Sequence, residues 1–275
     1  MWSIGWSWNP IVLAGLALGL YAYAAARVRF RPRRRQVLQF LAGLTLVFVA
    51  LVSPLNRAAD RYLFSLHVVQ HMLLQMGAAP LLVLGLPLAA LGRLYGHPAW
   101  GRLMRWGWSA VPAAILYNGV LALWHLPVAL GGPRLTCGIR TDVASQIPWI
   151  ATLQDLLPLV AGLLFWGAVL LPPPFSGAPR AVRLAVVGGS WVFNWLVSFV
   201  NATAARPLYA TYFAAPRLFG LSPTADQMLG AGILWEHGNM VYALAIVALV
   251  RELLQAPADG LPAPASQSDG APASA

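Results

Sequence analysis

Seven apolar stretches of about 20 residues, the length a helix needs to cross a hydrocarbon layer of about 30 Å, constrain this chain more than any other feature. They run from Ile11 to Ala26, Val37 to Val52, Tyr62 to Leu86, Trp108 to Leu130, Thr152 to Leu171, Val182 to Val200 and Gln227 to Val250. Backbone polar groups in lipid must be bonded within their own segment, so such runs are expected as helices. Composition agrees: 59% of the 275 residues are hydrophobic and only 9% charged, against about 25% charged in soluble domains. The expectation is an all-α polytopic membrane protein with about seven transmembrane helices. Residues 1–255 form one membrane domain. From Ala256 onward the Ala, Pro, Ser, Gly and Asp residues lack apolar periodicity and read as a disordered tail over 256–275.

Orientation follows from arginine, which supplies all 18 basic residues. With the N-terminus outside, Arg27, Arg29, Arg31, Arg33, Arg34, Arg35, Arg93, Arg102, Arg105, Arg180, Arg183 and Arg251 fall on the cytoplasmic side. Arg57, Arg61, Arg134, Arg140, Arg206 and Arg217 fall outside. This two-to-one bias predicts a periplasmic N-terminus and a cytoplasmic tail. No basic residue precedes the first apolar run, which reads as a retained helix and not as a cleaved signal. The run "RVRFRPRRR" reads as a positive stop after that helix, and Trp2, Trp6, Trp8, Trp100, Trp106, Trp108 and Trp149 as interfacial anchors; no nucleic-acid partner is expected. The segments around Cys137 and Tyr209 carry too many turn formers and charges to span, and read as outer loops. With one cysteine there is neither an intramolecular disulfide nor a cysteine-based metal cluster.

Within so apolar a chain, ionisable side chains stand out. His67 and His71 lie in "SLHVVQHMLLQM", spaced i, i+4 and therefore on one helix face. At 1.5 Å per residue they lie roughly 8 and 14 Å from Tyr62, His125 lies about 8 Å from Leu130, and His237 roughly 15 Å from Gln227. Four imidazoles from three helices thus fall in overlapping depths on the outer side, while His97 sits in a cytoplasmic loop. Each histidine alone reads as a hydrogen-bonded packing residue; together they read as candidate metal or cofactor ligands. Met72, Met76 and Met240 are weaker candidates, since thioether sulfur with imidazole suits copper, above all Cu(I). Glu236 and Asp226 could orient an imidazole or carry protons, and Asp60, Asp155 and Asp226 could equally cap helices or pair with outer arginines.

Motifs along the chain add a resemblance. "LHVVQHMLLQMGAAPLLVLGLP", "WHLP" at Trp124, "AGLLFW" at Ala161, "RPLYATY" at Arg206 and "DQMLGAGILW" at Asp226 resemble, in order, the CtaG family of multi-spanning cytochrome c oxidase assembly factors associated with caa3-type oxidases. The resemblance implies a seven-helix protein of the bacterial inner membrane that matures a haem-copper oxidase through copper supply or insertion, with an oxidase subunit as partner and no catalysis of its own. His67, His71 and His125 match the family's motifs and His237 follows its tryptophan. Where the family commonly carries histidine before "AGLLFW", this chain has Gln154 and Asp155. Two other readings are compatible with the histidines: a membrane cytochrome holding haem b between His71 and His237, and a copper permease, although the cytoplasmic half offers almost no ligands for one.

Overall fold

The computed structural model describes residues 4–125, 148–209, 212–213 and 215–255. Among them the secondary structure is helical, without strands. In order the helices are α1 (Pro10–Phe30), α2 (Arg34–Leu51), α3 (Pro54–Arg61), α4 (Phe64–Met72), a π-helix (Leu73–Ala78), α5 (Ala79–Gly85), α6 (Leu88–Gly96), α7 (Pro98–Gly107), α8 (Ala110–His125), α9 (Pro148–Leu170), α10 (Arg180–Thr203), a 3₁₀ turn (Leu218–Gly220) and α11 (Pro223–Leu254). Several starts are legible as caps followed by proline, whose missing N–H costs nothing in a first turn. Asn9 accepts from Ile11 N before Pro10, Ser53 from Leu55 N beside Pro54, and Ser222 from Ala225 N two residues after Pro223.

A helix occupies each of the seven apolar runs. Five segments are long and apolar enough to cross a membrane: Pro10–Phe30, Arg34–Leu51, Phe64–Gly85, Arg180–Thr203 and Pro223–Leu254. A sixth arises only if α7 and α8 act together, and they are bent by 62°. In α9 the described apolar part, Asp155–Leu170, is shorter. Residues 126–147, with Cys137, and the tail 256–275 lie outside the described residues. The linker expected around His97 is in fact two short helices, α6 and α7, with His97 at their junction.

The third span is the centre of the bundle. Two thirds of its apolar window (67%) is buried, against 11% for α1. It is also the irregular one. In the π segment the Ala79 N–H bonds the Leu74 carbonyl, five residues back. Carried one residue further, that pattern would ask Pro80 to donate to Gln75 O, and proline has no N–H. The indole N–H of Trp166 on α9 donates to Gln75 O instead, at 2.9 Å, while the Gln75 side chain donates to the Tyr117 carbonyl on α8 at 3.1 Å. Gly162 makes this approach feasible: a Cβ there would lie 2.9 Å from Gln75 O and 2.8 Å from Ala79 Cβ. At the far end of α9, buried Arg183 donates from Nε to the Val169 carbonyl at 2.6 Å and pairs with Glu252 at 3.4 Å, joining α9, α10 and α11. Such pairing satisfies carbonyls that a helix terminus leaves without a partner.

Candidate metal centre

His67 and His71 project from the first two turns of α4, and His125 ends α8. All three are buried, with exposures of 1%, 1% and 0%. One ligand nitrogen from each lies within 4.8 Å of the others. The ring centroids are 4.0 Å apart for His67 and His71, 5.2 Å for His71 and His125, and 5.7 Å for His67 and His125. Three nitrogens at about 2.1 Å from one ion are about 3.6 Å apart in a trigonal set, so closing the histidines on an ion needs the rings to approach by up to about 1 Å.

The tautomer of His125 is set by its surroundings. Nδ1 lies 3.0 Å from the Leu121 carbonyl, which can only accept, so Nδ1 carries the proton. Nε2 is then the free lone pair, buried and without a hydrogen-bond partner among the described residues. Fixing one ring nitrogen through a backbone carbonyl is how metal-ligating histidines are commonly oriented. The residue's own carbonyl, a helix-terminal acceptor, receives Tyr209 Oη at 2.5 Å and Asn201 Nδ2 at 3.0 Å. Tyr209 Oη also lies 2.7 Å from Asn201 Oδ1, so its single proton is shared between the two acceptors.

Asp226 anchors the other wall. Its buried carboxylate accepts from Phe64 N at 2.7 Å, Ser65 N at 3.0 Å and Ser65 Oγ at 2.5 Å. Leu63, the residue before α4, has no side chain able to cap, so a carboxylate from α11 supplies the anion that a helix N-terminus favours. Asp226 is therefore a helix cap in this structure, one of the roles its sequence position allowed. Gly230, one turn on, lies against Phe64; a Cβ would come within 2.7 Å of that ring. Phe64 in turn stacks on Tyr209 at 4.4 Å and meets Tyr212 edge-on at 5.9 Å, roofing the histidines. Tyr212 donates to the Ala59 carbonyl at 2.7 Å.

The remaining candidates fall elsewhere. His237 is only half-buried and is not grouped with the three histidines; its Nε2 finds no hydrogen-bond partner among the described residues. Gly230 is level with Ser65, a Cβ there lying 3.3 Å from Ser65 Cα, so His237 and His71 both lie about 10 Å beyond that level, and what separates His237 from the three histidines is its half-exposed position and not its depth. Met240 is 65% exposed and Glu236 is exposed. Met72 and Met76 are 2% exposed and belong to the main apolar core. Sequence reasoning did not assign Phe64, Asn201, Tyr209 or Tyr212. A signal existed for α10, where Ser190, Asn194, Ser198 and Asn201, spaced four, four and three residues apart, form a polar stripe on one face of an apolar helix, each 1% exposed.

The motifs thus converge on one place: the histidine span, the helix end at "WHLP", the roofing tyrosines of "RPLYATY" and the cap of "DQMLGAGILW". The chain is similar to an uncharacterized protein of Mycobacterium bovis and one of Mycobacterium tuberculosis, each 27% identical over 270 residues, covering 90% of this chain and 39% of the relative. It is also similar to an uncharacterized protein of Mycobacterium leprae, 24% identical with the same coverage. The chain spans about two fifths of the length of these curated relatives. No solved structure matches it. The family model for the cytochrome c oxidase caa3 assembly factor, Caa3_CtaG, matches residues 19–256, and the chain belongs to that family.

Proposed function

We propose that this protein binds Cu(I) transiently at His67, His71 and His125 and passes it to a caa3-type oxidase subunit from the outer side of the bacterial inner membrane. The observation that carries the reading is three buried imidazoles from two helices whose ligand atoms lie within 4.8 Å. Imidazole nitrogens suit copper and zinc alike. Charge favours the monovalent ion: the cost of burying an ion grows with the square of its charge, and three neutral imidazoles do not offset a divalent one. Copper is the cargo a haem-copper oxidase needs, and three neutral ligands without a thiolate hold it with few bonds to break on release. The arginine asymmetry supports seven spans with a periplasmic N-terminus. In that topology the starts of α4 and α11 and the end of α8 lie at the outer side, with the roof of Phe64, Tyr209 and Tyr212 between copper and the periplasm. The histidine set favours a small ion over haem, because the three imidazoles that come together are close-packed and His237 is half-buried outside that group.

The test is Cu(I) retention by detergent-purified protein against a chelator series. His67→Ala, His71→Ala and His125→Ala should each weaken binding by more than about 100-fold, beyond what losing a group behind a ligand costs. His97→Ala should bind as wild type. A triple histidine variant that holds copper like wild type would sink the proposal.

A further inference from the structure

Helix α11 carries a carboxylate where the bundle gives it no partner. Glu236 is exposed, and it makes no hydrogen bond or ion pair among the described residues. Its depth can be read from its place along α11, a helix long and apolar enough to cross a membrane. Glu236 lies near the middle of α11, about 20 Å from its first residue, Pro223, and about 27 Å from its last, Leu254. The carboxylate is therefore close to the midplane, too deep for so short a side chain to reach water. Its neighbours on the same face are apolar and exposed: Leu229 at 48%, Met240 at 65%, Leu244 at 69% and Val247 at 56%. One turn before Glu236, Gly232 is exposed, and a Cβ there would meet nothing within 4 Å.

We propose that this stripe is an intramembrane docking surface for a partner's transmembrane helix that presents an arginine, lysine or other N–H donor at mid-bilayer. Ionisable groups at that depth are stable when paired, and a helix partner is the source of a cation there, because lipid amines stay at the interface. The open notch at Gly232 lets a second backbone approach closely one turn from the carboxylate, the geometry small residues give to helix contacts in lipid. A second copy of this chain fits worse: a two-fold contact on this face sets Glu236 against its own copy, like charge against like. On the reading above, which this inference rests on, the partner is the oxidase subunit receiving copper.

The experiment uses the full chain in native membranes with a photo-cross-linking residue at Met240 or Leu244, both remote from the three histidines. With Glu236 intact, the adduct should be with an oxidase subunit. Glu236→Leu should lower its yield at least tenfold, Glu236→Gln, which still accepts a hydrogen bond, should lower it less, and Gly232→Leu should lower it as strongly as Glu236→Leu. All three variants should insert and keep wild-type copper retention, which excludes misfolding. Undiminished adducts in Glu236→Leu, adducts only with lipid, or adducts of the chain with itself overturn the docking surface. The copper reading fails separately, through histidine variants that retain copper while the Glu236-dependent adduct persists.

Discussion

Asp226 is the residue whose loss should cost most for its size. Replacing it with alanine orphans two buried N–H groups and one hydroxyl at the start of the helix that carries His67 and His71. Hydrogen bonds to a charged acceptor contribute about 1.5–3 kcal/mol each. A helix N-terminus facing an anion adds up to about 2 kcal/mol in partly buried sites. These terms overlap, so a net loss of about 4 kcal/mol is expected, about a thousandfold in the folding equilibrium. At about 2–4 °C per kcal/mol for a chain of this size, thermal unfolding in detergent should fall by about 10 °C. Ser65→Ala removes only the hydroxyl bond and should cost about 1 kcal/mol. Fraying of α4 should also loosen the histidine pair, so copper retention in Asp226→Ala should fall even below the melting transition. Unfolding temperatures in the order Asp226→Ala equal to or above Ser65→Ala, with unchanged copper retention, would refute the capping argument.

Two further outcomes follow from the packing and the charge pattern. Trp166→Phe keeps most of the ring but strands Gln75 O, which should cost about 1–3 kcal/mol in the same assay; Gly162→Ala should cost a similar amount by forcing α9 off the π segment, and wild-type melting for both would mean the contact is incidental. Reporter fusions after Gln255 should be active only in the cytoplasm, and periplasmic activity there would overturn the orientation drawn from the arginines.

The length of the apolar runs was sufficient to place a helix in each of the seven stretches, five of which are long and apolar enough to cross a membrane, because lipid leaves the backbone so few options. The run from Tyr62 to Leu86 corresponds to Phe64–Gly85, and that from Val182 to Val200 to Arg180–Thr203. Short elements escaped this reading. Helices α3, α6 and α7 are eight to ten residues long and carry arginines, so no apolar run marks them. The histidine pair and His125 were legible as polar residues in apolar surroundings, and they do converge. His237 has the depth that counting along the helices gave it, but depth says nothing of which way a residue faces around the helix, and it lies half-buried outside the group of three. The roof was illegible, because Tyr209 and Tyr212 reach the site through contacts with Phe64 that no local pattern encodes.

The π turn of the third span divides it into two rods with independent angular settings. A single inserted residue in an α-helix turns everything beyond it by about 100°, and a π turn is how a helix absorbs such an insertion without losing its ladder. The histidine-bearing rod is indexed by Asp226, whereas the lower rod is indexed by α2 and α9, with Gly85 against Phe40 and Ala79 against Gly162. A one-residue change in the π turn would swing the lower rod off α2 and α9, where Gly85 and Ala79 are closely packed, while Asp226 keeps the imidazoles' bearing, so such a change should register as lost stability before it registers as lost copper.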